Sequence, residues 1–327
     1  MTNIIIPRKE ILVPIGLNFG MKGFFRIRTI NKFSGKCRID TGFFPNTILN
    51  SGRNIMADTD FWMTWCQVGT NDVFPELLED RQNETALGGW IDGTNDITST
   101  TNGQSGVAPY YGWKRRVYRF PVGDIGGKNL SEVGVGWGET GSTLISRAPI
   151  LDPVSHTPTT ITPLSDEILE VSYELRYYAP TVDVTTPSVV LDGITYDTVT
   201  KACRVTDSVW SSSIGNRIGV LPSSLLWDAW DGAIGTVLTT PNGNQADCDT
   251  NGQYNSDYSA NSYEMQVNCP TGSTGWNLGA GIRCIRIRTT AGEYQTSFTA
   301  NPGGATIPKS IAYTMLMSWT LSWAEKV

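Results

Sequence analysis

The most legible feature of the chain is a two-residue repeat of apolar and polar positions. It is clearest near the C-terminal end. There Ile311, Tyr313, Met315, Met317, Trp319, Leu321 and Trp323 take every odd position, and Thr314, Ser318, Thr320 and Ser322 take most even ones. Side chains on a strand alternate between its faces, so this spacing predicts a strand with one aromatic face. At ~3.3 Å per residue it is about 40 Å long. A one-residue slip would turn the whole row to solvent, so its register is firmly specified. Ile11, Val13, Ile15 and Leu17 alternate in the same way. Phe25 and Ile27 oppose Arg26 and Arg28, and Leu169, Val171, Tyr173, Leu175 and Tyr177 oppose Glu170, Ser172, Glu174 and Arg176. The last pattern is that of a sheet with one wet face. Helix signals are scarce; the best lies over Val73 to Arg81, after the turn residues Thr70-Asn71-Asp72.

Regularity varies along the chain. Residues 1–178 carry strands at fairly even spacing, and strong alternation returns from Ala305. Between them alternation is weak and loop residues are many, including Ser211 to Arg217 and Pro241 to Gly275. The expected architecture is therefore all-β: an antiparallel β-sandwich built from 1–178 plus 305–327, with 179–304 as an inserted, loop-rich β subdomain. Loops on a rigid scaffold are where binding usually sits. The inserted part is accordingly expected to project and make contacts, and its removal to leave the main domain folded.

Composition narrows the function classes. The chain has 327 residues with Lys+Arg 25 and Asp+Glu 31, a net charge of −6. A protein that coats nucleic acid neutralises phosphates with an excess of cations, so nucleic acid is not an expected partner. Charged residues are only 17%, while 34 Gly and abundant Thr, Ser and Asn suit sheet linked by loops. Eleven Trp, 12 Tyr and 10 Phe exclude a disordered chain. The start, Met1 to Arg8, lacks the pattern of a secretory signal. The weakly polar run Ile311 to Ala324 is too short to span a bilayer as a helix. A soluble protein made in the cytosol, with no membrane insertion, is expected. Cys37, Cys66, Cys203, Cys248, Cys269 and Cys284 form no CxxC or CxxH pair, and read as reduced, mostly buried small side chains.

Candidate chemistry is sparse. Glu132-Val133-Gly134-Val135-Gly136-Trp137-Gly138 contains a GxGxG string, but it leads into a turn at Glu139 to Ser142 and then strand-like residues 143–150. Phosphate loops need a helix there, so the bare glycine face points instead to close backbone packing. The one histidine, His156, lies between Pro153 and Pro158 and reads as an exposed turn residue rather than a catalytic base. The carboxylate pairs Asp166/Glu167, Glu79/Asp80 and Asp228/Asp231, the last beside Trp227 and Trp230, are the material a glycosidase would need. Packing and surface roles are the simpler reading. Asp247, Asp249 and Asn251 followed by Gly252 begin as a calcium loop does, but the twelfth position is Tyr258 where a bidentate Glu belongs, so a plain Asx-turn is expected. Tyr254, Tyr258, Tyr263 and Trp276 either form a contact surface or cover a small inserted core. The expectation is a non-enzymatic protein with no catalytic, cofactor or metal residues.

Three blocks taken together carry a resemblance. The first is Gly23-Phe24-Phe25-Arg26, Thr41-Gly42-Phe43-Phe44-Pro45-Asn46-Thr47 through Gly52, then Trp65-Cys66-Gln67-Val68-Gly69-Thr70 and Thr85-Ala86-Leu87. The second is Arg119-Phe120-Pro121-Val122-Gly123, Asn129 to Trp137, Leu144 to Ala148, Pro158 to Thr162 and Asp166 to Arg176. The third is Ile307-Pro308-Lys309 with the long terminal strand. Their order and spacing resemble a family of tailed-bacteriophage virion proteins, described as tail, fibre or collar components. The resemblance covers about 200 of the 327 residues, leaves 179–295 unmatched and supplies no catalytic motif. It implies a β-rich structural protein of the virion, assembled in the host cytoplasm, with other virion proteins and a homo-oligomer as partners. The alternative is a receptor-binding module recognising a host surface glycan or protein.

Overall fold

The computed structural model describes residues 14–70, 78–191, 193–219, 227–247, 254–255, 257–271, 275–309 and 315–326. The early, regular part of the chain supplies β1 (Pro14–Asn31), β2 (Cys37–Asp40), β3 (Phe44–Pro45), β4 (Thr47–Ile48), helix α1 (Asn50–Asp58), β5 (Trp65–Gly69), helix α2 (Leu78–Asn83), β6 (Trp90–Thr94), β7 (Ile97–Gln104), β8 (Tyr111–Phe120), β9 (Glu132–Gly136), β10 (Leu144–Pro149) and β11 (Glu167–Tyr178). The later part supplies β12 (Val184–Leu191), β13 (Ile194–Ala202), the one-turn helix α3 (Val209–Ser212), β14 (Trp227–Trp230), β15 (Gln245–Asp247), β16 (Tyr254–Asn255), β17 (Glu264–Thr271), β18 (Cys284–Thr289), β19 (Gly292–Asn301) and β20 (Met315–Glu325).

These strands form three sheets. The largest has nine strands, ordered β16-β17-β20-β1-β11-β8-β7, with β2 and β3 beside the second half of β1. A five-stranded sheet runs β4-β10-β9-β5-β6, and a six-stranded one runs β12-β13-β19-β18-β14-β15. The all-β class and its antiparallel character are as the alternation predicts. One pairing departs from it: β1 and β20 run parallel, from Pro14↔Ser318 to Met21↔Glu325. The chain thus brings its first and last described strands together at the centre of the large sheet.

The odd positions of β20 from Met315 to Trp323 are buried, as are Leu17, Phe19, Met21, Phe25 and Ile27 on β1 and all five odd apolar positions of β11. This apolar face is covered by both smaller sheets, and the three share one core. Trp319 of β20 meets Trp227 of β14 at 4.3 Å between ring centroids, while Tyr118 of β8 donates its hydroxyl to Met63 O just before β5. The predicted strand positions Ile11, Val13, Ile311 and Tyr313 lie outside the described residues, as do 73–77 of the expected helix; its end is helical, as part of α2.

The division into 1–178 plus 305–327 against 179–304 does not separate independent units. Residues 184–301 do supply every strand of the six-stranded sheet. But β16 and β17, from the same stretch, extend the large sheet, with β17 paired to β20 from Glu264↔Ser322 to Thr271↔Met315. Helix α3 presses on β8 so closely that a Cβ on Gly112 would lie 1.8 Å from Trp210 O. Lys114 Nζ then donates to Ser212 O and Ile214 O at 3.0 and 2.5 Å. The physical reason lies in β20: β1 covers only one of its edges, and without β17 its aromatic row would sit at an open edge.

The glycine face of β9 behaves as its sequence suggests. β9 is wholly buried between β5 and β10. A Cβ on Gly136 would lie 1.9 Å from Thr143 O, and one on Gly134 would lie 2.7 Å from the Leu144 side chain. Gly136→Val is therefore expected to lose about 1–3 kcal/mol or more from overpacking, read as a lower midpoint in urea unfolding.

Candidate functional site

The second face of the large sheet carries the most organised polar chemistry in the molecule. Strand alternation puts Arg26 and Arg28 of β1, Glu170, Ser172, Glu174 and Arg176 of β11, and Trp113, Arg115, Val117 and Arg119 of β8 on that face. Register then aligns them: Arg28, Glu170 and Arg119 lie in one row across the three strands, and Phe24, Glu174 and Arg115 in another. Each carboxylate sits between two guanidiniums. Glu170 accepts from Arg28 at 2.6 Å and from Arg119 at 3.2 Å. Glu174 accepts from Arg115 Nε at 2.9 Å and from Arg176 Nε at 2.7 Å. At the margin Arg26 pairs with Asp40, and Arg38 grips Glu167 through two bonds of 2.7 Å. The guanidinium of Arg26 holds the Asp40 carboxyl below its usual range, and Arg38 does the same to Glu167.

Aromatic rings lock this array. Arg115 lies 4.7 Å from the Phe43 ring centroid, and Arg176 lies 4.2 Å from that of Phe24 and 4.7 Å from that of Tyr111. The wet face expected from the Glu170–Arg176 alternation is thus only half wet. Glu174 is 2% exposed and Ser172 is buried, while the arginines above them stay partly open. The guanidiniums cover the carboxylates they bind while the arginine side chains remain partly accessible. Arg26, Arg28, Arg115, Arg119 and Arg176 stand over three carboxylates, Asp40, Glu170 and Glu174, so this face is net positive on a chain of net charge −6. Fixed, planar cations of this kind suit carboxylate or other anionic groups. The signal was in the sequence as alternating Arg and Glu, but the pairing between strands was not.

A second charged group lies on the six-stranded sheet. Asp228 of β14, Arg286 of β18 and Glu293 of β19 are nearly inaccessible. Arg286 Nε donates to Asp228 Oδ2 at 2.7 Å, and Arg286 Nη1 lies 2.9 Å from Glu293 Oε1. Arg204 and Arg288 approach Glu293 at 3.3 and 3.6 Å. Gln295, beside them, ties down the loop above through Gly235 and Thr236. Burial pushes both carboxyls above their usual values, against the pull of Arg286. The group is closed in by protein and acts as an internal clamp.

The residues singled out by sequence do not converge. Asp228 is held in this clamp, whereas Asp231 is half-buried and accepts from Asn244 N and Nδ2 at 2.7 and 2.8 Å. Trp227 is core, and the ring of Trp230 lies under Arg286. Asp166 accepts from Asn31 Nδ2 while Glu167 serves Arg38. His156 is exposed in a turn closed by Asp152, with a left-handed φ of 55°. Asp247 pairs with Asp228 in strand register, but Asp249, Asn251 and Gly252 of the calcium-like loop lie outside the described residues, as do the side chains of Glu79 and Asp80. Among the described residues no group of three or more His, Cys, Asp or Glu is placed to share a metal ion.

Of the tyrosine tract, Tyr258 and Tyr263 pack inward onto β20 and α1, while the side chain of Tyr254 lies outside the described residues. Tyr258 stacks on Trp323 at 5.8 Å and donates its hydroxyl to Asn54 Oδ1 at 2.6 Å, and Arg53 lies 3.9 Å from the Tyr263 ring centroid. Trp276 is fully buried. These rings cover core, and the expectation of a projecting contact loop is corrected to that extent. Cys66, Cys203, Cys269 and Cys284 are buried and Cys37 is exposed; all five are free thiols. Three clefts of about 310, 370 and 360 Å³ open on the surface, near Arg283, Arg147 and Tyr178, and no His, Cys, Asp or Glu lines any of them. No helix among the described residues is long and apolar enough to cross a membrane. Comparison with family models, curated proteins and solved structures gives no match to this chain.

Proposed function

We propose that the chain is a non-enzymatic structural component of a tailed-phage particle, in its tail, collar or fibre apparatus, acting through contacts with other virion proteins. The observation that carries this reading is the guanidinium-capped face of the nine-stranded sheet. It is broad and held rigid by cross-strand ion pairs and ring contacts. Such a surface fits an acidic protein partner, where charge complementarity sets orientation and association rate. The resemblance of the sequence blocks adds to it.

The test is particle assembly. Purified particles are expected to retain the chain, and particles made without it to be incomplete. Complete particles that fail to adsorb would favour the receptor-binding alternative, and complete infectious particles would overturn both. The face itself is tested by Arg119→Gln with Arg176→Gln, which leaves Glu170 with Arg28 and Glu174 with Arg115. Stability is expected to change by no more than about 1 kcal/mol per site, while incorporation into particles falls.

A further inference from the structure

An open sheet edge offers a row of unpaired backbone groups, and folded proteins shorten it, charge it, kink it or place proline on it. In the large sheet β16 is described over two residues, and β2 and β3, beside β1, have four and two. The edges of the five-stranded sheet are β4, of two residues, and β6, of five with Asp92 among them. Those of the six-stranded sheet are β15, of three residues, and β12, which carries Pro187 and a register shift between Thr186 and Val189.

β7 is different. It has eight residues, no proline and no charge, and it is exposed from Thr98 to Asn102. Among the described residues no strand pairs with its other edge. Ser105 N donates to Tyr111 O at 2.8 Å, and the register from Ser99↔Val117 to Gln104↔Gly112 is unbroken. Hydrogen-bonded pairs recur every second residue, so Ser99, Thr101 and Gly103 turn their backbone groups to β8. Thr100 and Asn102 turn theirs to the free edge.

The charge beside this edge has one sign. Residues 97–123 hold Lys114, Arg115, Arg116 and Arg119 and no carboxylate. On the outer face Arg115 and Arg119 are 35 and 41% exposed, and each shares its carboxylate with a second arginine. On the other face Lys114 donates to Ser212 O and Ile214 O, and Arg116 to Met63 O. Among the described residues neither of these two cations pairs with a carboxylate.

We propose that the free edge of β7 takes an extended, acidic segment of the partner protein, which pairs there as a further strand of the large sheet. The unblunted edge calls for a strand, since main-chain hydrogen bonds supply affinity in strand addition. The cations of β8 call for its charge. Carboxylates on an added strand would stand two strands from β8, about 10 Å from its backbone, which arginine side chains span. At that distance the attraction persists at low salt and is screened at high salt. The inference rests on the reading of the arginine face as a docking surface for an acidic protein, and names the part of it that makes backbone bonds.

The experiment is fluorescence anisotropy on the full chain with labelled synthetic peptides of strand length, one alternating Thr and Glu and one alternating Thr and Lys. Two further Thr/Glu peptides carry N-methyl groups on every second amide, one in each phase. At low salt the Glu peptide is expected to bind roughly tenfold more tightly than the Lys peptide. One methylated phase is expected to lose roughly tenfold and the other to keep its binding, because a strand aims only alternate amides at its neighbour. Thr100→Pro removes an edge N–H and leaves the β8 ladder intact, so it is expected to weaken the Glu peptide similarly, while Thr100→Ala leaves it unchanged. The methylated peptides probe the wild-type chain and do not depend on how the Pro variant folds. Equal binding of the two methylated phases, or of the Glu and Lys peptides, would overturn the proposal. So would a dimer of the full chain that Thr100→Pro dissociates, because a second copy would then hold the edge. Particle incorporation separates this inference from the reading beneath it. Incorporation lost in Arg119→Gln with Arg176→Gln but kept in Thr100→Pro would overturn the edge alone. The expected peptide binding, with complete infectious particles made without the chain, would uphold the edge and overturn the virion reading.

Discussion

Joining Ala179 to Ala305 by a short linker, so that 180–304 is removed, is expected to give insoluble or unfolded protein. The sequence alone argues the reverse, because the regular strands lie on either side of this stretch. The structure shows what the excision takes away. β17 covers the outer edge of β20, Trp227 packs on Trp319, and Tyr258 packs on Trp323. Trp210 closes on Gly112, and Ile218 N bonds back to Met56 O of α1. Trp319, Trp323, Leu321 and Met317 would all lose part of their cover. At roughly 1.5–3 kcal/mol per apolar side chain when fully buried, partial exposure of this group approaches the ~5–15 kcal/mol of net stability that a whole domain has. Solubility on expression and the near-ultraviolet circular dichroism of any soluble fraction decide it. A soluble product with native-like tertiary signal would restore the two-unit division.

One difference between the sheets explains which strands the sequence revealed and which it hid. β1, β11 and β20 alternate between aromatic or aliphatic residues and polar ones, so their faces and register are readable. β13 and β19 are as well ordered, but their inward positions include Thr198, Thr200 and Thr296, with Thr200 and Thr296 hydroxyls 2.8 Å apart. A core lined with threonine leaves no hydropathy contrast, so this region reads as irregular. Helix α1 was hidden for another reason. Its N-terminal half holds Asn50, Ser51, Gly52 and Asn54, which are poor helix formers. Gly52 is there because a Cβ would come 2.3 Å from Ile145 O, so tertiary packing and not propensity sets the helix. The arginine face was half legible. Alternation put Arg26, Arg28, Glu170 and Glu174 on polar faces, but only strand order, which no local pattern carries, brings Arg115 and Arg119 beside them.

The internal clamp of the six-stranded sheet gives the other large effect. Arg286→Met keeps the stem of the side chain and removes the cation between Asp228 and Glu293. It leaves two carboxyls nearly inaccessible, with Asp247 opposite Asp228 and, among the described residues, Arg204 and Arg288 as the cations near Glu293. Breaking a buried pair in this way typically costs about 3–5 kcal/mol. The sign of the pH dependence is set by the shifts. Burial already holds both carboxyls above the usual 3.8 for Asp and 4.5 for Glu, so the fold binds their protons more tightly than the unfolded chain does. Their contribution is therefore fully present below those values and is lost as pH rises through the folded ones. Removing Arg286 takes away the attraction that opposes the rise, so both values climb further and the window widens toward neutrality. The deficit of the variant relative to wild type is expected to be largest at pH 7 and to shrink as pH falls toward 4.5. Taking the difference between the two proteins cancels groups such as Asp40 and Glu167, whose lowered values act in the opposite sense. Urea unfolding of both proteins at pH 7 and pH 4.5 measures it. A deficit equal at the two pH values would mean that the cost is lost packing around Trp230, and that neither carboxyl is charged in the fold.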